Sequence, residues 1–319
     1  MQYGPLKILS GSSNPDFARR LACYVGQELG RVSLRHFADG EIFAEIKDNI
    51  RGRDVFIVQS TCPPANEHLM ELLIMLDAAK RASADRVTVV LPYFGYARQD
   101  RKVSPRTPIT AKLVADLLQV AGASRVLTLD LHAGQIQGFF DIPVDHLYGT
   151  PTLIGRVREV VAGRPCVIVS PDAGGVERAR AYAKYLKAPI AVIDKRRLRP
   201  NEVAEMRIVG DVKGRYAVVV DDLVDTAGTL TKAARAIMDH GAEGVCAVAS
   251  HAVLSPPAVE RIAGSVLDRL IVTDSIPLRE DADACPKIES VTASHLLGEA
   301  VRRIHHGDSV SMLFDPPSV

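Results

Sequence analysis

Residues 217–231 read Ala217-Val218-Val219-Val220-Asp221-Asp222-Leu223-Val224-Asp225-Thr226-Ala227-Gly228-Thr229-Leu230-Thr231, and this stretch decides the fold. Its first part, with Tyr216 before it, is short, apolar and β-branched, as expected of a strand buried on both faces of a parallel sheet. Beyond the loop, Leu230, Ala233, Ala234, Ile237 and Met238 recur at helical spacing, so the unit reads strand, loop, helix. A loop entering a helix this way gathers backbone N–H groups at one point, which suits a phosphate. Ala227 and Gly228 let the backbone approach closely, and Thr226 and Thr229 add hydroxyl donors. Asp221 and Asp222, at the carboxyl end of the strand, are placed to accept hydrogen bonds from a diol. A sugar phosphate fits all of these features. The plain alternative is an acidic strand end followed by an ordinary capped turn.

The whole string resembles the ribose-phosphate loop of the type I phosphoribosyltransferases, which favours the first reading. Outward from it, short apolar strands alternate with helical patterns along the chain. This is the pattern of an α/β fold with a mostly parallel sheet flanked by helices. In the first half, strands are expected at Asp54–Gln59, Arg86–Leu91 and Arg125–Leu131. Helices are expected at Glu67–Arg81 and Thr110–Val120, the latter packing Leu113, Val114, Leu117 and Leu118 as one stripe. In the second half, Tyr216–Val220, Leu230–His240 and Gly244–Ala249 repeat that order. Two similar domains follow, 1–148 and 149–319, with the boundary near Tyr148–Pro151. A helix over Ala293–Ile304 closes the second, and the tail over 305–319 is placed to pack back on the first domain or a neighbouring subunit.

The chain has 319 residues, enough for two domains, and is 47% apolar and 24% charged. A net charge of +1 gives no bulk attraction to nucleic acid or an anionic membrane. Met1–Leu9 carries no secretory pattern, no apolar run reaches membrane-span length, and a cytoplasmic protein is expected. Cys23, Cys62, Cys166, Cys246 and Cys285 lack metal-ligand spacing and read as reduced, buried thiols.

Four further segments follow strands, where open α/β sheets place ligands. Arg35 to Glu41 sets Phe37 beside Asp39 and Glu41, a way to stack on a purine and accept from its amine, or else a turn. Pro92 to Lys102 sets Tyr93, Phe94 and Tyr96 beside Arg98, Arg101 and Lys102, suited to a nucleotide or to an anchored basic loop. Asp130-Leu131-His132 and Ser170-Pro171-Asp172-Ala173-Gly174-Gly175 each put a potential metal ligand at a strand end. A hard cation such as Mg²⁺ takes carboxylate oxygen and keeps waters, while an imidazole is an unusual ligand for it. Asp194 to Asn201 is a basic loop, either solvated or closing over a developing phosphoryl charge.

Phe37 to Glu41, Tyr96 to Lys102, Asp130 to Ala133 with Gln135 to Phe140, Asp194 to Arg197 and the Asp221 loop stand in the order found in ribose-phosphate diphosphokinases. The chain resembles that family from about Pro5 to Phe314, most closely its phosphate-activated class I. The resemblance implies transfer of the β,γ-diphosphoryl group of Mg-ATP to the 1-hydroxyl of ribose 5-phosphate. The products would be 5-phosphoribosyl 1-diphosphate, for nucleotide, histidine and tryptophan biosynthesis, and AMP. It implies ATP contacts at Phe37, Asp39, Glu41, Arg98, Gln99 and His132. Ribose 5-phosphate would be held by Asp172, Asp221, Asp222, Asp225, Thr226, Ala227, Gly228 and Thr229. Mg²⁺ would sit on His132 and Asp172, and Lys195 and Arg197 would be the catalytic cations. Arg51, Arg106, Gln137, Ser309, Ser311 and Phe314 match a regulatory site for phosphate or ADP. The family also implies a homo-oligomer, a hexamer built of dimers.

The chain departs from the family pattern in three places: Asn49 where Ser is common, Ala173 where many members have His and others Ala, and Val103-Ser104-Pro105 in place of a more polar stretch. A phosphoribosyltransferase would share the Asp221 loop without needing the Phe37 and Arg98 segments. A non-catalytic regulatory relative would tend to lose Lys195 and Arg197, which are both present.

Overall fold

The computed structural model of the chain describes residues 3–196 and 205–314. Its contacts divide it into two compact units: Met1–Tyr148 with Ser275–Pro277 and Thr292–Asp315, and Gly149–Asp274 with Leu278–Val291 and Pro316–Val319.

The first unit runs β1 (Leu6–Ser10), α1 (Pro15–Val25), β2 (Val32–His36), β3 (Ile42–Ile46), β4 (Asp54–Val58), α2 (Ala65–Arg81), β5 (Arg86–Leu91), α3 (Thr110–Ala121), β6 (Arg125–Leu129) and β7 (Val144–Leu147). The second runs α4 (Thr150–Val161), β8 (Cys166–Ser170), α5 (Val176–Leu186), β9 (Ile190–Arg196), β10 (Glu205–Val209), β11 (Tyr216–Val224), α6 (Gly228–Asp239), β12 (Gly244–Ala252), α7 (Ala258–Ala263), β13 (Arg269–Thr273), α8 (Glu280–Asp283) and β14 (Ile288–Val291). The last helix, α9 (Ser294–His306), belongs to the first unit.

The sheets share one plan. In the first unit the order is β1-β4-β5-β6-β7, all parallel. In the second, β8-β11-β12-β13-β14 repeats it, with β9 and β10 added beyond β8. Strand interiors such as Val55–Val58 and Tyr216–Val220 are buried on both faces, which explains their unbroken apolar runs. Each unit also carries an antiparallel hairpin after its first strand, β2–β3 and β9–β10. The half-exposed residues of β2 and β3 bear too weak an apolar signal to announce a strand pair.

Four readings need correction. Helix α3 buries Ala111, Val114, Ala115 and Leu118, whereas Leu113, Leu117 and Val120 are exposed, because the sheet covers only one side of the stripe. The closing helix leaves the 149–319 domain: Leu297, Ala300, Val301 and Ile304 pack with Phe17 and Leu21 of α1. Asp194, Lys195 and Arg196 continue β9 instead of opening a loop, since β10 supplies an antiparallel ladder, Met206 opposite Lys195. Finally, Cys23 is exposed, while the other four cysteines are buried.

Asp54 fixes the end of α9 to the sheet. Its fully buried carboxylate receives Arg86 Nε at 2.8 Å and Nη2 at 2.5 Å, with His305 Nδ1 at 2.8 Å.

Candidate functional site

The connections place the candidate loops. In the second unit β8 leads through α5 to β9 on one side, while β11 leads through α6 to β12 on the other. The α5 residues Ala179, Tyr182 and Ala183 pack on one face of the sheet, and the α6 residues Leu230, Ala233, Ala234 and Ile237 on the opposite face. The crevice between the carboxyl ends of β8 and β11 is therefore a topological switch point, where open α/β sheets bind ligands.

Two segments of the sequence reading meet there. Strand β11 pairs with β8 only through Val219, but with β12 as far as Val224. Asp221 and Asp222 thus lie inside a strand that is one-sided at their level, not at its end. Asp222 N donates to Asp221 Oδ1 over 2.9 Å. Burial and then the neighbouring Asp222 charge push the Asp221 carboxyl up to about 7, against a smaller lowering by Arg178. Arg178 Nη1 stands 3.8 Å from Asp222 Oδ1. Such a pair of carboxylates, one readily protonated, favours hydrogen-bond donors over further anions.

After β8, Gly175 N donates to Asp172 Oδ1 at 3.0 Å and Ser170 Oγ donates to the Asp172 carbonyl at 2.6 Å. A Cβ on Gly175 would stand 2.8 Å from Ser170 Oγ, so the tight turn needs glycine. After β11, Ala227 is left-handed at φ 56° and α6 begins at Gly228. Thr226 and Thr229 are exposed, Asp225 and Gly228 half-buried, and Ala227 buried. A left-handed residue before a helix arranges successive N–H groups into an anion-binding concavity.

In the first unit, β5 and β6 are neighbours, and the loops after them meet. Gln135 Nε2 donates to Asp100 Oδ2 at 3.1 Å, joining the Arg98–Gln99 loop to the His132 loop. Gln99 Oε1 accepts from Thr110 Oγ1 at 2.6 Å, while Arg98 and His132 are exposed. The strand expected to reach Leu131 ends at Leu129, because Asp130 turns the chain at φ 36°. Phe37, Asp39 and Glu41 occupy the tip of the β2–β3 hairpin, which is a separate sheet from the one that carries those loops. The tip is closed by Phe37 N to the Glu41 carbonyl at 2.8 Å and Glu41 N to Asp39 Oδ1 at 3.1 Å. Against α2 the hairpin leaves a cavity of about 420 Å³ lined by Glu41, Ile42, Asn66, Glu67, Met70 and Ile74.

The first unit also has a switch point, between β1 and β4, and protein fills it. Glu71 Oε1 accepts from Ser12 N and from Gln59 Nε2, both at 2.7 Å, and Gln59 Oε1 accepts from Ser13 N at 3.1 Å. Sequence reading missed these residues and Arg178; a Glu on a helix and an Arg after a Gly-rich turn carry no local signal.

The regulatory candidates lie in the first unit. Arg51 Nη1 donates to Ser83 Oγ at 3.1 Å, and Gln137 Nε2 to the Gly134 carbonyl at 2.9 Å. Arg106 is exposed and left-handed at φ 64°. Ser309 Oγ bonds Ser311 Oγ at 3.2 Å, and Phe314 meets Tyr148 edge-on at 6.0 Å.

Among the described residues no three His, Cys, Asp or Glu side chains form a metal cluster, and no helix is long and apolar enough to cross a membrane. The exposed carboxylate of Asp172 still suits a hard cation that takes its other ligands from phosphates and water. The side chain of Lys195 and all of Arg197 lie outside the described residues.

Comparison with known proteins gives a consistent picture. Residues 6–122 match the model of the N-terminal domain of ribose phosphate pyrophosphokinase, and residues 195–315 that of the phosphoribosyl synthetase-associated domain. A ribose-phosphate pyrophosphokinase of Brucella melitensis is 55% identical over 310 residues, 97% of this chain and 100% of that one. One from Nitrosomonas europaea is 53% identical over 98% of this chain and 99% of that one. The crystal structure of a phosphoribosylpyrophosphate synthetase from Mycobacterium smegmatis superposes with a TM-score of 0.90 at 41% identity, covering 95% of this chain and 99% of that one.

Proposed function

We infer, from the premise that this chain belongs to the ribose-phosphate pyrophosphokinase family, that it moves the β,γ-diphosphoryl group of ATP onto the 1-hydroxyl of ribose 5-phosphate. The products are 5-phosphoribosyl 1-diphosphate and AMP. The observation that carries the reading is the switch-point crevice of the second unit, with two adjacent carboxylates and a phosphate-type loop on one strand-loop-helix. The Asp221 and Asp222 carboxylates accept the ribose hydroxyls, and residues 225–229 hold the 5-phosphate through backbone N–H groups and the Thr226 and Thr229 hydroxyls.

Phe37, Asp39, Glu41, Arg98, Gln99 and His132 bind ATP. The proximity of the Arg98–Gln99 and His132 loops supports this for the triphosphate end. An ATP-using transferase of this kind takes a metal cofactor, and Mg²⁺ is the ion we assign. Asp172 and His132 would hold it, and it would neutralise phosphate charge as the diphosphoryl group moves. Asp172 fits this role better than His132, as oxygen is the preferred ligand. Lys195 and Arg197 stabilise the charge that develops in transfer. Arg51, Arg106, Gln137, Ser309, Ser311 and Phe314 form the phosphate or ADP effector site. The exposed row Leu113, Leu117 and Val120 supports a homo-oligomer, for which we take the hexamer, in the cytoplasm.

The test is AMP release from ATP by the purified full-length protein with phosphate present. Release that requires both ribose 5-phosphate and Mg²⁺ is the expected outcome. No release, or release indifferent to the sugar phosphate, overturns the reading.

A further inference from the structure

Arg261 lies 35 residues beyond Thr226 in sequence, yet its Nη1 donates to the Thr226 carbonyl over 2.9 Å. It projects from α7, whose Ala258 and Ile262 are buried in the same core cluster as Leu230 of α6. A Cβ on Gly228 would stand 3.2 Å from Arg261 Nη1, so the guanidinium lies against the loop backbone where glycine leaves room for it.

The carbonyl of Thr226 and the N–H of Ala227 belong to one planar trans peptide and point in opposite directions. Holding that carbonyl toward Arg261 therefore aims the Ala227 N–H away from it. The next peptide is held in the same sense. The Ala227 carbonyl accepts from Thr231 Oγ1 and from Thr231 N, both at 3.0 Å, which turns the Gly228 N–H the other way. Arg261 and Thr231 thus hold two successive carbonyls, and the two matching N–H groups are left to converge around the left-handed Ala227.

We propose that Arg261 is a positioning residue for the ribose 5-phosphate loop, setting the direction of its backbone N–H donors through the Thr226 carbonyl. The proposal rests on the reading of residues 225–229 as the sugar-phosphate site. Arg261 acts through the Thr226 carbonyl that it holds. Its loss releases one peptide to rotate and weakens capture of the phosphate, and the guanidinium fork suits a fixed carbonyl better than a mobile ammonium does.

The test is steady-state kinetics of the full-length wild type, Arg261→Ala and Arg261→Lys, varying ribose 5-phosphate and ATP separately, with thermal melts of all three. Arg261→Ala is expected to raise the ribose 5-phosphate KM about tenfold, and Arg261→Lys by less, as befits loss of one charge-assisted hydrogen bond. The ATP KM should stay within about twofold, a split that general loosening would not produce. A ribose 5-phosphate KM unchanged in both variants, or a rise matched by the ATP KM, overturns the proposal. A wild type without ribose 5-phosphate-dependent AMP release would instead overturn the functional reading on which it rests.

Discussion

Gln59 Nε2 donates to Glu71 Oε1 over 2.7 Å at the carboxyl end of β4, and with Ser12 N this fills the switch point of the first unit. The corresponding crevice of the second unit is lined by Asp221 and Asp222. Two sheets of one plan differ in what stands at this place: side chains bonded to one another in one, and the adjacent Asp221 and Asp222 carboxylates in the other. Calorimetry should therefore find one ribose 5-phosphate bound per chain. Glu71→Ala leaves the Ser12 N–H and the buried Gln59 amide without this acceptor and should cost about 2 kcal/mol in urea unfolding. An unaltered unfolding midpoint, or two sugar phosphates per chain, would contradict this account.

Asp221 should make the stability of the chain pH-dependent. Its carboxyl is raised from an ordinary 3.8 to about 7, chiefly by burial and then by Asp222. Between these values the folded state holds a proton that the unfolded chain has released, so stability falls as pH rises through the window and levels off above it. Asp221→Asn should remove that fall. Its stability relative to wild type should be greater at pH 8 than at pH 5 by on the order of 2 kcal/mol. Urea midpoints at the two pH values measure this, and equal differences would exclude the assignment.

The same titration should reach binding if Asp221 accepts from the sugar. The ionised carboxylate is the better acceptor for sugar hydroxyls, so the wild-type KM for ribose 5-phosphate should fall as pH rises through about 7. Asp221→Asn should show a raised KM with that part of the pH dependence gone. A variant profile parallel to wild type would assign the titration elsewhere, for instance to the substrate phosphate.

Asp54, Arg86 and His305 form the buried polar tie between β4 and α9. Asp54→Asn leaves the Arg86 guanidinium, 11% exposed, without its counter-charge and should destabilise by about 3–5 kcal/mol. Chemical denaturation reads this directly; a loss below about 1 kcal/mol would show that the tie contributes little.

Lys195→Ala should lower kcat by at least about 10²-fold, the usual effect of removing charge stabilisation of a transition state, while the melting temperature moves little. A kcat within a few-fold of wild type would remove Lys195 from the chemistry.

Much of this was legible in the chain because it is local. The apolar runs at Val55–Val58 and Ala217–Val220 are set by burial on both faces, and the helical stripes by a period of 3.6. The order of elements in each half, and hence the α/β class, follows from these. Partners from elsewhere in the chain were not legible. The length of β11 beyond Val220 depends on β12, and the strand character of Lys195 depends on β10. The Gln59–Glu71 closure joins residues on two successive elements and carries no motif.

By itself the sequence determined the class of fold, the repeated strand-loop-helix order and the left-handed turn into a helix after Asp221, because short-range spacing and turn chemistry are sufficient for each. Tertiary structure alone decided which switch point is filled, that α9 packs with α1, and that Arg261 meets Thr226. Those outcomes depend on side chains distant in sequence meeting at distances of a few ångströms, and no local period encodes such a meeting.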